Sequence, residues 1–457
     1  MALLAGIART TINPPLDIPS GMWMAQKHVR GEGLDIDLYA TALVLEDGGE
    51  RVVLLDLDLC FLPDSLCSAI REAASQGAGV PPERILPFCS HSHAGPVVME
   101  FYRGEGEDRV RGYIDSLPHW IAGAVARAAA ALTPVHVTAG AGRSDVGVNR
   151  DLRVNGRIIC GVNPEGIADT EVMVLRIDST AGRPLACLLN YACHPTVLGP
   201  GNRLISPDYP GHARRTVELN TGALCFFLQG AAGDMGPVET FVPHVEVARR
   251  LGARLGLEAA RVFLTLDPRP VTRQLKNVIA SGAPLAEYEE VALDVPPPSL
   301  AIRSEAVDLP TRSPFSDVYE HAPRQLAEAS AELQRLESEG AGKIEVAAAL
   351  QRVVRLKLRA GRMERYRGRP SLPVEMHAIR LGDTAIVAMA GEPYCRIAID
   401  LKRGSPFPGK TLVAGYLGGD MMYIPSEEAF GYDSPPMQVD NSPYAPSAAA
   451  LATAAAG

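Results

Sequence analysis

Strand-like and helix-like hydrophobic patterns alternate through the first 265 residues. Two apolar runs, YATALVLE and RVVLLDLDL, flank the turn at 47–49 and predict a β-hairpin over 39–59. Asp64 then begins a helix over 65 to about 76, and the apolar strand RILPFCS leads into His91. The series continues with a long alanine-rich helix near 109–131, strands at 184–192 and 222–229, and a helix near 211–219. Such alternation is typical of an α/β domain with a buried sheet.

The hydrophobic pattern changes after residue 265. A helical pattern over 245–263 is followed by prolines at 268, 270 and 296–298, which mark a boundary. Residues 322–363 are predicted to form a helical hairpin that turns at 340–342. Strand character returns in HAIRLGDTAIVAMAGE, so we expect the chain to rejoin the first sheet. The sequence therefore predicts an α/β fold of mixed β-sheets flanked by helices, with a helical-hairpin insertion.

These boundaries divide the 457 residues into four segments. Residues 1–265 are predicted to form the first part of the main α/β domain, and residues 266–372 a helical insertion and linker region. Residues 373–446 are the return of the chain that completes the domain. Residues 447–457 are rich in alanine and are expected to be a fraying helix or tail.

Composition restricts the kind of partner. The chain is 47% hydrophobic and 21% charged, which is ordinary for a globular protein. A formal charge of −9 argues against nucleic acid, because phosphate binding needs clustered Lys and Arg, so a small-molecule ligand is expected. No apolar run has the length that spans a bilayer, and the start, MALLAGIART, lacks a signal-peptide pattern. We therefore expect no stable membrane insertion and a cytoplasmic location, and a homo-oligomer is left open.

The eight cysteines include no CxxC pair, and several lie inside apolar strand-like runs. They are predicted to be reduced, buried thiols that pack as small hydrophobic residues.

The segment SHSHAGP, residues 90–96, follows directly on an apolar strand. Residues two apart in an extended chain project to the same face, so His91 and His93 can point into one site. Taken alone, this pattern fits either a metal site or two hydrogen-bonded histidines at a strand end.

Three further polar clusters also lie at the ends of predicted strands. His194 ends the run LACLLNYAC, the glycine-rich residues 230–234 end ALCFFLQ, and Glu392 ends TAIVAMA. Ligands in α/β sheets bind outside the carboxyl ends of the strands, so we expect these clusters to converge on one pocket. Two histidines and a carboxylate, without a thiolate cluster, favour zinc. Zinc polarises carbonyl groups and lowers the pKa of bound water, so amide or ester hydrolysis is the predicted reaction.

Two aspartates near these clusters each have two interpretations. Asp58, on one strand face with Asp56, can orient a ligand histidine or help to bind a second metal, or it can simply cap a turn. Asp208 can support the site or act as a helix N-cap. We expect one Zn²⁺ per chain, and a second metal is not favoured.

Six short motifs follow one another from residue 5 to about residue 432: AGIARTTINPP, SHSHAGP, NYACHPT with LISPDYPG, QGAAGDMGP, AGEPY and YIPSEEAFGY. In this order they resemble the motifs of the neutral/alkaline (non-lysosomal) ceramidase superfamily, in its N-terminal catalytic domain. The resemblance implies a ceramidase-like catalytic domain and a zinc-dependent amidohydrolase.

The resemblance also implies roles for individual residues. The zinc ligands that it implies are His91, His194, Glu392 and Tyr423. Residues matching positions that hold the scissile carbonyl or the product carboxylate are His93, Arg150 and Tyr432. Asp58 joins these three as a catalytic candidate, and the glycine loop is predicted to contact substrate through Gly233, Asp234 and Gly236.

The chain departs from the ceramidase pattern at Gly236, where ceramidases carry a serine in the glycine loop. Because no hydroxyl group is present, direct attack by metal-bound water is favoured, with His93 as proton shuttle. The chain also ends where ceramidases continue into an immunoglobulin-like domain, and it lacks their secretion signal. A small soluble amide, ester or lactone is therefore expected in place of ceramide.

Two other functions stay open at this point. A metal-dependent lyase or isomerase would use the polarised carbonyl beside His93 and Tyr432 for proton abstraction. A non-catalytic metal-binding homologue would have lost turnover together with the serine.

Overall fold

The computed structural model describes residues 2–456 except 24, 27, 101, 104, 295–296, 313–319 and 420–421. It gives the backbone alone for residues 343, 344, 347, 351 and 355. Pro296, part of the predicted proline boundary, lies outside the described residues.

The described strands are, in chain order, β1 (Leu4–Thr11), β2 (Gly33–Leu34), β3 (Tyr39–Asp47), β4 (Glu50–Leu57), β5 (Ile85–Cys89), β6 (Thr133–Arg143), β7 (Gly147–Val154), β8 (Arg157–Asn163), β9 (Glu171–Ser179), β10 (Pro184–Tyr191), β11 (Leu204–Ile205), β12 (Leu224–Gln229), β13 (Met235–Pro237), β14 (Val271–Ser281), β15 (Ala283–Ala292), β16 (Leu300–Pro310), β17 (Ser371–Leu381), β18 (Thr384–Ala390), β19 (Glu392–Pro393), β20 (Thr411–Leu417) and β21 (Tyr423–Ile424).

The helices in the same part of the chain are α1 (Asp64–Ala78), α2 (Glu107–Ala130), α3 (Asp208–Thr221), α4 (Val245–Thr265), α5 (Ala322–Ser338), α6 (Lys343–Tyr366), α7 (Cys395–Gly404), α8 (Met437–Asp440) and α9 (Ala448–Ala456). Two short 3-10 turns lie at Pro82–Arg84 and Glu427–Gly431.

One twelve-stranded mixed sheet organises the fold, in the order β12-β10-β9-β6-β1-β3-β4-β5-β20-β18-β17-β16. Its two halves face each other across a shared core that includes Leu54, Phe88, Leu175, Phe226 and Leu412. Each such side chain contributes about 1.5–3 kcal/mol when fully buried. Because these strands are buried on both sides, their sequences are near-continuous apolar runs.

Helices cover the outer faces of both halves. Helices α1 and α2 pack on β3, β4 and β5, while α3 and α4 pack on β9, β10 and β12. Near the other end of the sheet, α6, α7 and α9 pack on β17, β18 and β20. The predicted α/β fold of mixed sheets flanked by helices is confirmed.

Three strand pairs within the sheet are parallel: β4–β5, β10–β12 and β18–β20. The chain leaves these strands at Asp58, at Ser90–His91, in the loop before His194, at Gly230 and before Glu392. The polar clusters found in the sequence therefore lie at the carboxyl ends of parallel strands.

The segment 266–372 contains more than helices. Strands β14 and β15 form a separate hairpin, and β16 pairs with β17 at the edge of the large sheet. The helical hairpin α5–α6 is present, with Gly340 at a φ of 67° where the chain turns. These three strands were missed in the hydrophobic pattern, and the division into segments stays a prediction.

The alanine-rich end of the chain forms a helix that packs against the large sheet, although a fraying helix or tail was expected. Helix α9 buries Ala448, Ala449 and Ala452 against the cluster that contains β17 and α7. Its small side chains allow close approach of the helix to these elements.

The eight cysteines are free, and seven of them are buried as predicted, whereas Cys160 is partly exposed. Among the described residues, no helix is both long and apolar enough to cross a membrane.

Candidate metal centre and active site

His91 leaves the end of β5 in a left-handed backbone conformation, with a φ of 70°. Such a conformation costs a non-glycine residue about 1–2 kcal/mol, so the surroundings must hold it in place. The His91 N–H donates to Leu59 O at 3.0 Å, and Nδ1 lies 2.5 Å from Cys60 O. A carbonyl oxygen only accepts, so Nδ1 carries the proton and Nε2 keeps its lone pair.

His194 is oriented by the same kind of contact. Its Nδ1 lies 3.1 Å from Ala232 O and 3.2 Å from the Tyr416 hydroxyl. Nδ1 therefore donates to the carbonyl oxygen, and Nε2 again presents a lone pair. The two Nε2 atoms, of His91 and His194, are 3.0 Å apart.

Glu392 completes a compact triangle. It lies in the short strand β19, which pairs in parallel with β21, and places Oε2 3.7 Å from His91 Nε2 and 3.6 Å from His194 Nε2. Among the described residues, Oε2 has no hydrogen-bond partner. All three side chains are buried and form a cluster that can hold a metal ion.

The protonation states favour a cation at this point. Burial lowers the pKa of His91 to about 3, and burial together with the charge of Arg150 lowers the pKa of His194 well below its usual value. Both rings are therefore neutral, so two lone pairs and a carboxylate oxygen face one another without a proton between the two nitrogens. Tetrahedral zinc, with bonds of about 2.0–2.1 Å, needs ligand atoms roughly 3.3 Å apart. The residues fit a bound zinc ion.

Burial raises the pKa of the Glu392 carboxyl to about 7, and the positive charge of Arg150 opposes this rise. A hydrogen bond from Tyr423 to the carboxyl, together with the charge of Arg362, opposes it as well. A metal cation at the same place would hold this carboxyl in its charged form.

Arg150 and Tyr423 lie beside the triangle. Arg150, on β7, is almost fully buried and donates through Nε and Nη2 to Gly233 O at 3.2 and 2.6 Å. Its Nη2 also lies 3.3 Å from the Tyr423 hydroxyl. Tyr423 pairs with Glu392 across the parallel β19–β21 ladder, so both side chains project to the same face of the ladder.

A cavity of about 610 Å³ opens onto the triangle. One wall contains His91, His93, Glu392 and Tyr423, and another is formed by residues of α6. A cavity of this size suits a small or medium-sized organic molecule.

A family model for "Neutral/alkaline non-lysosomal ceramidase, N-terminal" matches residues 14–238. A curated neutral ceramidase of Pseudomonas aeruginosa is 25% identical over 221 residues, which cover 45% of this chain and 32% of that protein. Just under half of the chain therefore matches the N-terminal domain of neutral/alkaline ceramidases. The matched region thus spans about a third of the curated relative's length.

Solved ceramidase structures share the fold. The crystal structure of neutral ceramidase from Pseudomonas aeruginosa matches with a TM-score of 0.67 and 18% identity, covering 100% of this chain and 73% of that one. A ceramidase complexed with C2 matches with a TM-score of 0.66 and 16% identity, covering 99% and 74%. At these identities the likeness establishes the ceramidase fold.

His93 lies at the edge of this ceramidase-like site. Its Nε2 is 3.4 Å from His91 Nε2, and its ring stacks on Trp23 with centroids 4.9 Å apart. His93 lines the cavity, as the HxH spacing predicted.

The glycine loop packs against residues of the site and the start of α7. A Cβ atom at Gly233 would lie 2.6 Å from Glu392 O, so glycine is required for this approach. The Asp234 carboxylate accepts the Cys395 N–H at 2.7 Å and thereby joins the loop to the start of α7. A Cβ atom at Gly236 would lie 3.3 Å from Arg150 Cβ. Gly233, Asp234 and Gly236 do not line the cavity, and their contact with substrate stays a prediction.

Asp58 does not reach the cavity either. Its side chain is fully buried, forms an ion pair with Arg214, and accepts the Tyr39 N–H and the Ser90 hydroxyl at 2.8 and 3.1 Å. Its hydrogen bond with Ser90 joins Asp58 to the residue next to His91. Among the described residues, neither Asp58 nor Asp56 belongs to a cluster that can hold a second metal.

Tyr432 lies outside the cavity lining as well. It packs with Tyr394, Ala429 and Val439, and the guanidinium of Arg153 lies 5.7 Å from the centre of its ring. The structure thus brings together His91, His93, His194, Glu392, Tyr423 and Arg150 of the predicted set, but not Tyr432, Asp58 or the glycine-loop side chains.

The Asp208 side chain accepts hydrogen bonds from backbone N–H groups near the site. Its carboxylate accepts the N–H groups of Leu198 and Tyr209 at 2.9 and 2.5 Å, and its φ is 56°. It is the first residue of α3, and Pro207 occupies the N-cap position. This arrangement ties the loop after His194 to the helix.

Sequence reasoning missed the cavity wall provided by α6. Leu358, Arg362 and Arg365 line the cavity at spacings of four and three, which place them on one helical face. That periodicity was visible in the sequence, but nothing local indicated that this face meets the metal centre.

Proposed function

We propose that this chain is a zinc-dependent hydrolase of a carbon–nitrogen amide bond in a small soluble substrate. The observation that carries the proposal is the triangle of His91 Nε2, His194 Nε2 and Glu392 Oε2, in which three electron-pair donors meet without a proton between the two imidazoles. When bound, zinc polarises the substrate carbonyl and lowers the pKa of water. Tyr423 is proposed as a fourth ligand because its ring lies beside Glu392 and its hydroxyl beside Arg150.

Arg150 supplies a positive charge and hydrogen-bond donors for the carbonyl oxygen. The guanidinium of Arg150 is held by Gly233 O, which fixes its direction before substrate binds. Preorganised donors of this kind stabilise the negative charge that develops on the oxygen during amide cleavage.

His93 is placed to move a proton. Its Nε2 lies 3.4 Å from His91 Nε2 and faces the cavity, within reach of a leaving nitrogen bound there. We propose that this imidazole accepts a proton as water attacks and delivers it to the amine. Gly236 offers no hydroxyl group, so water is the proposed nucleophile.

The amide preference comes from the ceramidase superfamily, whose named activity is cleavage of an N-acyl bond. The named relative is a neutral ceramidase. An ester or lactone would use the same carbonyl chemistry, and only turnover assays separate these substrates. A cavity of about 610 Å³ lies within the usual range of small-molecule sites.

The test combines metal content with labelled water. Chain purified without chelator is expected to contain one zinc per molecule and to cleave an N-acyl amide, with one oxygen of the carboxylate product coming from ¹⁸O-water. Glu392→Gln and His194→Ala should lose both zinc and turnover. His136→Ala, which changes a histidine on β6 away from the triangle, should retain both.

Less than one zinc per several chains would contradict the proposed metal. Turnover without incorporation of ¹⁸O would contradict hydrolysis and favour a lyase or isomerase instead.

A further inference from the structure

Strand β20 contains a β-bulge beside the metal centre. Its pairing with β18 passes from Ala388–Ala414 to Ala390–Leu417, so β20 carries one extra residue between these two pairs. A bulge interrupts the alternation of side chains, because the extra residue shifts every later side chain to the other face. Ala414 and Leu417, three residues apart, accordingly both face the core shared by the two halves of the sheet. Tyr416 belongs to a different cluster of buried residues, so the bulge turns its side chain away from that core.

The backbone of Tyr416 is held in a conformation that disfavours side chains other than glycine. Its φ is 59°, and its N–H donates to Gly391 O at 2.8 Å. Gly415 allows the strand to come close at this point, because a Cβ atom there would lie 2.7 Å from Pro393 Cδ. Gly391 and Pro393 flank Glu392, so the bulge joins β20 to the segment that carries this proposed metal ligand. Strained residues that their surroundings hold in place occur most often at functional sites.

The side chain of Tyr416 contacts both histidines of the triangle. It is fully buried, and its ring centroid lies 4.5 Å from that of His91 and 5.9 Å from that of His194. Its hydroxyl lies 3.2 Å from His194 Nδ1, the nitrogen that donates to Ala232 O at 3.1 Å. A tyrosine hydroxyl can accept the same N–H. One residue therefore touches both histidines through its side chain and the neighbour of Glu392 through its backbone.

Packing alone does not account for the hydroxyl group. A phenylalanine would fill the same space and keep the ring contacts with His91 and His194. The hydroxyl adds a second acceptor at His194 Nδ1, the ring nitrogen that does not face the triangle. Acceptors at this nitrogen fix the orientation of the ring and the tautomer that leaves Nε2 without a proton, and they make the imidazole a stronger ligand.

We propose that Tyr416 is a positioning residue of the metal centre. Its hydroxyl holds the His194 ring with Nε2 in the triangle, and its backbone anchors the segment that carries Glu392. The inference rests on the proposed function for the presence of the cation. It assigns a role to a residue that lies outside the cavity lining and outside the sequence motifs.

The test is Tyr416→Phe, which keeps the ring and removes only the hydroxyl group. We expect its dissociation constant for zinc, measured by competition with a chromophoric chelator, to rise about tenfold. This is the lower end of the effect of losing an outer-shell partner, because Ala232 O still accepts the N–H. The visible absorption spectrum of the cobalt-substituted variant should shift too, because it reports the geometry of the ligands.

Tyr113→Phe is the matched control. Tyr113 is a buried tyrosine on α2, and its hydroxyl donates to Ile12 O at 2.7 Å. Loss of this hydrogen bond should lower the thermal midpoint of the metal-free chain and leave both the zinc affinity and the cobalt spectrum unchanged. A role of Tyr416 in packing alone would give the same result as this control.

The unaltered chain separates the inference from the proposed function. If it binds zinc, and Tyr416→Phe has the same dissociation constant and the same cobalt spectrum, the positioning role is overturned and the proposed hydrolase stands. A fall in the thermal midpoint alone would likewise make Tyr416 an ordinary core residue. An unaltered chain that binds neither zinc nor cobalt would refute the proposed function, and the positioning role with it.

Discussion

The buried side chain of Arg214 connects the elements next to the proposed metal site. Arg214 is 1% exposed and lies between the carboxylates of Asp56 and Asp58, with Nη1 2.8 Å from Asp56 Oδ2. Asp56 also accepts the Phe227 N–H at 2.9 Å, and Asp58 accepts the Ser90 hydroxyl next to His91. One arginine thus connects β4, β12 and the loop that carries a proposed zinc ligand.

Replacing Arg214 by Met is expected to lower the free energy of unfolding by about 3–5 kcal/mol, because two buried carboxylates lose their cation. The neighbouring Arg215→Met changes the same residue type on the exposed side of α3 and should cost less than about 0.5 kcal/mol. Denaturant titration of both variants measures the difference. Equal free energies of unfolding in the two variants would show that the buried ion pair adds nothing.

Asp234 predicts a pH dependence of stability. Burial raises the pKa of its carboxyl from 3.8 to about 7, so the folded chain holds this proton over a range in which the unfolded chain has released it. By linkage, the contribution of Asp234 to the free energy of unfolding is fully present below pH 3.8 and is lost as the pH rises towards 7.

Asp234→Asn keeps an acceptor for the Cys395 N–H but removes the titration. We expect its free energy of unfolding, relative to the unaltered chain, to rise between pH 4.5 and pH 7.5 by an amount on the order of a few kcal/mol. Denaturant titrations across this range test the sign. A difference that stays constant with pH would contradict the raised pKa.

Among the elements, the hairpin β14–β15 lies outside the large sheet. It pairs only with itself within the described residues, and it exposes Leu275, Val278, Leu285 and Tyr288. An isolated two-stranded hairpin has little stability of its own in water.

Its backbone amides are therefore expected to exchange with solvent much faster than those of β3 and β4, which are buried in the sheet. Hydrogen–deuterium exchange with mass spectrometry compares peptides covering 271–292 and 39–57. Similar protection in both peptides would mean that another surface, such as a second molecule, covers the hairpin.

The elements also show what the sequence could predict. Strands β3, β4, β5, β10 and β12 were found because strands buried on both faces are apolar throughout, and their polar ends marked His91 and His194. Strands β14 and β15 were missed because their exposed faces mix charged and apolar residues without a clear period. Neither the exclusion of Tyr432 from the cavity nor the approach of α6 could be predicted, because both depend on packing between segments far apart in the chain.

At the scale of the whole molecule, the metal centre joins distant parts of one chain. His91 and His194 come from the first half, while Glu392 and Tyr423 come from the return after residue 371. Each proposed ligand lies at the end of a strand in the same twelve-stranded sheet or in the short ladder beside it. Occupancy of the centre should therefore stabilise the fold as a whole.

Adding zinc to metal-free chain is expected to raise the free energy of unfolding by about 2.7 kcal/mol when free zinc is 100 times Kd, and to raise the thermal midpoint accordingly. Glu392→Gln should show a smaller rise, and magnesium at the same concentration should have little effect, since the site offers imidazole nitrogens. Differential scanning fluorimetry with and without chelator measures these shifts. A thermal midpoint of unfolding that does not change when zinc is added would contradict the proposed metal centre.

The two ends of the insertion that carries α6 lie side by side. Pro310 pairs with Ser371 at the end of the β16–β17 ladder, and the Thr311 N–H donates to Pro370 O at 3.0 Å. The segment that carries α6 therefore leaves and rejoins the large sheet at one edge of the β16–β17 ladder. Helix α6 would thus be a specificity cassette of the proposed hydrolase: exchanging its cavity-lining residues would alter the substrate class, because the proposed metal ligands all lie outside it.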